Sequence, residues 1–161
     1  MTALRFFAVL ALCVLLATVI VLAPARAQDR ETPYWASLRY DEVRMRVGPS
    51  QEYPIEWVYR RKGLPVKVIR VREGWRLVQD HEGDQGWIAS SQLDPDKGAI
   101  VIGEGLAELR ADHSGSSALQ WRAEPGVVGK LLRCDEEWCE IDVTGRMGWV
   151  RQERLWGAGA P

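Results

Sequence analysis

Residues 43–50 read Val43-Arg44-Met45-Arg46-Val47-Gly48-Pro49-Ser50, followed at intervals by Gly63-Leu64-Pro65-Val66, Gly74-Trp75 and Gly86-Trp87-Ile88. A looser version comes next: Glu108-Leu109-Arg110-Ala111-Asp112-His113-Ser114, Pro125-Gly126-Val127-Val128, Trp138-Cys139-Glu140-Ile141 and Gly148-Trp149-Val150. The tryptophans set the alignment. Met45 to Trp75 is 30 positions and Leu109 to Trp138 is 29; Trp75 to Trp87 is 12 and Trp138 to Trp149 is 11. One unit therefore occurs twice at an offset of about 63 residues, and such a period marks a repeated structural module.

Inside each copy the apolar residues form short runs rich in Val, Ile and Trp, broken by Gly, Pro and Asp, which is the pattern of β-strands. Glu73-Gly74 and Gly83-Asp84 predict tight hairpin turns, because glycine accepts the positive φ that such turns require. Polar runs at Ser90-Ser91-Gln92 and Arg151-Gln152-Glu153, each before a closing leucine, predict short helical turns. No stretch after the first 27 residues carries a helical stripe of useful length, so the chain reads as all-β. The expected division is residues 1–27 leader, 28–37 linker, 38–93 first module, 94–99 linker with turn composition, 100–156 second module and 157–161 flexible tail. Each module is expected to form its own five- or six-stranded barrel.

The order and spacing of Arg46-Val47-Gly48-Pro49-Ser50, Tyr53, Gly63-Leu64-Pro65-Val66, Gly74-Trp75 and Gly86-Trp87-Ile88 resemble the bacterial SH3-like domain family found in many exported proteins. The second copy resembles it less closely: Arg110, Val127, Trp138 and Gly148-Trp149-Val150 remain, while Gly48-Pro49 is replaced by Asp112-His113. The resemblance implies two tandem SH3-like β-barrels and a binding role at the cell envelope. It also assigns structural roles to Gly48, Pro49, Trp75, Gly86, Trp87, Trp138, Gly148 and Trp149. Each tryptophan would bury roughly 150–250 Å², and Trp87 and Trp149 are expected in the cores. Arg46, Tyr53, Trp57 and Tyr59 are left as ligand-contact residues, an aromatic beside an arginine being a reasonable peptide or sugar contact. Burial against the neighbouring module would explain the aromatics equally well, and Trp121 shares both readings.

The N-terminus predicts the compartment. Residues 1–5 carry one positive charge, residues 6–22 are apolar apart from Thr18, and Ala25-Arg26-Ala27 has the small-x-small form of a signal-peptidase site. Cleavage after Ala27 would place the protein in the periplasm, or outside the cell; a retained leader would be its one membrane attachment. Cys13 is preceded by Leu12, where lipid-attachment signals have a small residue, so a lipid anchor is not expected. Loss of Arg5 and Arg26 leaves 19 basic against 22 acidic residues, a balance that argues against nucleic acid as a partner. Arg60-Arg61-Lys62, with Arg44 and Arg46 near in sequence, is either a solvated strand edge or a surface for an anionic partner.

Catalytic signatures are not expected. Families with such modules often append a cysteine peptidase whose histidine follows the nucleophile, but His81 and His113 both precede Cys134 and Cys139. The serines lack a Gly-x-Ser-x-Gly elbow, and His81-Glu82 with Asp84 reads as a polar hairpin tip rather than a metal site. No cofactor is anticipated. Cys134 and Cys139 are the two cysteines beyond the leader, and an exported chain meets an oxidising compartment, so a disulfide between them is predicted. Alignment of the copies puts them opposite Val71 and Arg76, on the two arms of one hairpin. Three functions remain open: a non-catalytic binding module for peptidoglycan peptides or a peptide segment of an envelope protein, an assembly partner docked on another exported protein, and an undetected cell-wall hydrolase.

Overall fold

The computed structural model describes residues 30–161; the expected leader and its expected Ala25-Arg26-Ala27 cleavage site lie outside the described residues. The first module contains β1 (Tyr34–Leu38), β2 (Val43–Arg46), β3 (Ile55–Tyr59), β4 (Pro65–Arg72), β5 (Trp75–Gln79), β6 (Gln85–Ala89) and β7 (Leu93–Asp94). The second contains β8 (Gly98–Val101), β9 (Ala107–Arg110), β10 (Leu119–Ala123), β11 (Val128–Asp135), β12 (Trp138–Val143), β13 (Arg146–Arg151) and β14 (Leu155–Trp156). Each module is its own antiparallel sheet, ordered β3-β2-β6-β5-β4-β1-β7 and β10-β9-β13-β12-β11-β8-β14. Seven strands replace the expected five or six, because short β7 and β14 and the preceding β1 and β8 escape a pattern search. The helical turns appear as 3-10 turns at Ser90–Gln92 and Gln152–Arg154.

Alternation along the strands decides what faces inward. Val43 and Met45, Val66 and Val68, Val78 and Ile88 are buried and gather with Ala36, Leu38, Leu64 and Leu93 into the first core. Ala107, Leu109, Ala123, Cys139, Ile141, Val150 and Leu155 build the second. The expectation that Trp87 lies in the core is corrected here. Ile88 and Val150 are the inward residues of the Gly-Trp-Ile and Gly-Trp-Val motifs, so the tryptophan between them and the glycine must face out. Trp87 is half-buried; Trp149 is buried, but beneath the His113 ring at 5.1 Å and the Arg133 guanidinium at 5.1 Å. Trp75 is half-buried, and Trp138 is covered by Arg151, whose guanidinium carbon lies 4.5 Å from its ring centre. The inward glycines are what the cores require: a Cβ at Gly86 would overlap Met45, and one at Gly148 would overlap Leu109.

The hairpins follow the expected turns. Arg72 pairs with Trp75 around Glu73-Gly74, with Gly74 at φ 69°. In the second copy Asp135 pairs with Trp138 and Glu136 takes φ 50° in the same turn. Cys134 and Cys139 are the next pair outward and are joined by a disulfide with Cα atoms 4.0 Å apart. The crosslink therefore clamps the one hairpin of this pair whose turn has no glycine, where a left-handed non-glycine residue costs about 1–2 kcal/mol.

Residues 34–37, expected as linker, are strand β1, and residues 98–99 already belong to β8. β1 hides because it is buried on both faces. Ala36 and Leu38 enter the first core, while Trp35 and Ser37 turn the other way: Trp35 Nε1 donates to Gly159 O, beyond the last strand of the second module, at 3.0 Å, and Ser37 Oγ to Asp96 O of the connecting segment at 2.7 Å. Trp35 and Trp156 rings meet edge to face with centres 4.6 Å apart. Ile100, Ile102, Val128 and Trp156 all pack against the first core. Residues 157–159 are accordingly part of the joint rather than a free tail; Gly157 is buried.

Candidate functional site: the exposed face of the first module

β2 and β3 pair through Val43 with Tyr59, Met45 with Trp57 and Arg46 with Ile55, and the loop between them carries Gly48, Pro49 and Tyr53. Arg46 Nη1 donates to Tyr53 O at 2.6 Å, which holds this loop against the sheet. Gly48 is buried beneath the Tyr53 ring, where a Cβ would collide; Pro49 is half-buried at the same bend. The exposed apolar residues of this ribbon and its loop are Val47, Tyr53, Ile55 and Trp57, with Trp57 54% exposed. β3 is the sheet edge, so Ile55 and Trp57 border unpaired backbone.

The four residues proposed for ligand contact therefore separate. Tyr53 and Trp57 are both exposed. Arg46 supports the loop, with one guanidinium nitrogen committed to it. Tyr59 is corrected to an interior position: it is 6% exposed, and its hydroxyl donates to Asp80 Oδ2 at 2.8 Å. Burial, then the bond to Asp80 and the charges of Asp80, Asp84 and Glu82, push its hydroxyl pKa far above the tyrosine range. Sequence reading missed Val47 and Ile55, which are also exposed; the available signal was an apolar residue on either side of the Gly-Pro loop.

The second copy repeats the support and closes the surface. Arg110 Nη1 donates to Ser117 O at 2.7 Å, matching Arg46 and Tyr53. Trp121, paired with Leu109 as Trp57 is with Met45, is half-buried. Its Nε1 donates to Met147 O at 3.0 Å, and the Arg146 guanidinium carbon sits 5.0 Å from its ring centre.

Other expected features have structural partners. Arg44 and Arg60 each approach Glu42 at 3.3 Å, and Arg61 Nη1 donates to Gly126 O of the second module at 2.8 Å, so the basic group is spread over ion pairs and the joint. Asp80, Glu82 and Asp84 present ligand atoms within 4.8 Å of one another. Asp80 Oδ1 accepts from the backbone N–H of Glu82 and Asp84 at 3.1 and 3.0 Å, which ties this carboxylate to the hairpin tip. His81 packs toward Trp156 with ring centres 6.4 Å apart. His113 Nδ1 lies 3.5 Å from Asp135 Oδ2. Among the described residues both cysteines are consumed by the disulfide.

Comparison with known proteins places this geometry in a family. The family model described as "Bacterial SH3 domain" matches residues 39–95 and again 104–157. A Bacillus subtilis (strain 168) protein named "Putative N-acetylmuramoyl-L-alanine amidase YrvJ" is 27% identical over 137 residues, covering 74% of this chain and 26% of that protein. NlpC2 from Trichomonas vaginalis aligns with TM-score 0.35 and 12% identity over 80% of this chain and 49% of its own. An NlpC/P60 family protein from Bacillus cereus ATCC 10987 aligns with TM-score 0.35 and 13% identity, over 76% and 55%. The chain thus spans about a quarter of the curated relative it matches. Two seven-stranded copies of one unit, each matched along nearly its whole length, make this chain a member of the bacterial SH3 domain family.

Proposed function

We propose that the chain is a non-catalytic binding module of the cell envelope, exported through its leader, and that the first copy holds peptides of the cell wall on the face of Tyr53, Ile55 and Trp57. The observation that carries this reading is the contrast between the copies: the tryptophan that is half-buried as Trp121 stands 54% exposed as Trp57. Exposed aromatics beside a rigid, arginine-stapled loop supply contact area with little entropy left to lose. The wall as target is favoured by the relative named as an amidase of N-acetylmuramoyl-L-alanine. A non-catalytic role is favoured by the paired cysteines and by the two imidazoles, His81 of the first module and His113 of the second, each set against a tryptophan ring.

Co-sedimentation with purified sacculi tests it. The protein is expected to pellet with the wall, and Trp57→Ala to lose at least about tenfold in retention while Trp121→Ala in the second copy changes it far less, in line with a central aromatic anchor. A protein that stays in the supernatant, or equal losses from both substitutions, overturns the assignment; retention on immobilised envelope proteins instead of sacculi would redirect it to a protein partner.

A further inference from the structure

The two copies differ at one place in a way that defines ligand chemistry. Trp87 pairs with Arg46 and Trp149 with Arg110, so β6 and β13 superpose in register and Arg146 corresponds to Asp84, Met147 to Gln85. The hairpin tips agree: Val143 pairs with Arg146, and Asp80 N donates to Asp84 O at 3.0 Å. In the second copy the guanidinium of Arg146 lies on Trp121, so this module supplies its own cation to its own aromatic. In the first copy the aromatic is kept as Trp57 and the cation is replaced by a carboxylate.

The surroundings reinforce the reversal. Trp121 Nε1 lies 3.3 Å from where a Cβ of Gly148 would stand, whereas the atoms nearest the matching point at Gly86 belong to Met45 and Arg46. Met45 thus fills the space beneath the sheet and Trp57 stands clear. Glu82 and Asp84 are exposed, and among the described residues neither has an ion pair. Their charges, with that of Asp80, are felt at Tyr59, whose hydroxyl they help hold protonated after burial and its bond to Asp80. By register Asp84 stands on β6 across β2 from Trp57, as Arg146 stands across from Trp121, and an aromatic face near unneutralised carboxylates attracts a cation.

We infer that Trp57 and Asp84, with Glu82, form a subsite for the side-chain ammonium or guanidinium of a peptide, which occupies the place Arg146 takes in the second copy. The inference rests on the peptide-binding face assigned above and names its charge preference. A cation on an exposed tryptophan gains a few-fold in affinity, and the carboxylates add a comparable factor, so a lysine probe is expected to bind at least about fivefold tighter than its uncharged isostere.

The test follows the indole N–H resonance of Trp57 in the 15N-labelled full protein, titrated with N-acetyl-lysine methylamide or N-acetyl-norleucine methylamide. The lysine probe is expected to shift Trp57 in a saturable way, with the norleucine probe at least about fivefold weaker. Asp84→Arg should abolish the response by installing the internal cation of the second copy, while the Trp149 resonance stays in place as a sign of intact folding. Equal binding of the two probes, or an undiminished response in Asp84→Arg, overturns the subsite. Trp57-dependent retention on sacculi without discrimination between the probes would overturn the subsite alone and leave the peptide face standing. Acetylating the amines of the sacculi identifies the source: lost retention assigns the cation to the wall peptide, and full retention beside a preserved lysine response assigns it to a protein side chain.

Discussion

Replacing Trp35 by alanine should uncouple the two modules. Trp35 is 6% exposed, meets Trp156 edge to face with ring centres 4.6 Å apart, and donates from Nε1 to Gly159 O at 3.0 Å. Truncating a buried tryptophan costs about 3–5 kcal/mol. Of this, roughly 0.5–1.5 kcal/mol belongs to the aromatic pair and a similar amount to the hydrogen bond. For a chain of this size each kcal/mol lowers Tm by about 4 °C, so a fall of roughly 10–20 °C is expected. Because the residue sits at the joint, differential scanning calorimetry should also change from one transition to two, as each module of about 60 residues has marginal stability alone. Trp35→Phe, which keeps a ring and loses the donor, should fall between. A single transition within about 2 °C of the parent in Trp35→Ala would refute the reasoning, since a joint built on this contact must lose cooperativity with it.

Reducing the Cys134–Cys139 disulfide should lower the stability of the second module by about 2 kcal/mol, the chain-entropy value for so short a loop, read as a reductant-dependent shift of denaturation midpoint that Cys134→Ser/Cys139→Ser reproduces. Tyr59→Phe leaves the Asp80 carboxylate one partner short and should cost about 1.5–3 kcal/mol near neutral pH, measured by urea unfolding. Since the native pKa of Tyr59 lies above its ordinary value of 10.0, the folded state favours the protonated hydroxyl. Its contribution is present in full below pH 10 and is lost as pH rises above it, so Tyr59→Phe should flatten the alkaline decline in stability.

The sequence by itself determined the architecture: the tryptophan spacing fixed two copies, short Val-Ile runs between Gly and Pro fixed strands, and Glu73-Gly74 fixed a hairpin, all through local constraints of backbone and alternation. It also made the disulfide an expectation, because two cysteines flanking one predicted turn can face each other across the ladder; the register that pairs Cys134 with Cys139 came from the structure. Only the tertiary structure decided which side of each strand was interior. Trp87 looked like core because it is large, yet Gly86 and Ile88 take the inward positions and Met45 needs the space a Cβ would fill. β1 was illegible because Trp35, Ala36, Ser37 and Leu38 are buried on both faces, one against its own module and one against the next, which erases alternation. The site divided in the same way. Tyr53 and Trp57 could be named from their loop and strand, but Tyr59 two residues further along the same strand points to Asp80, and the contrast between exposed Trp57 and half-buried Trp121, on which Arg146 lies, joins strands distant in sequence that only folding brings into register.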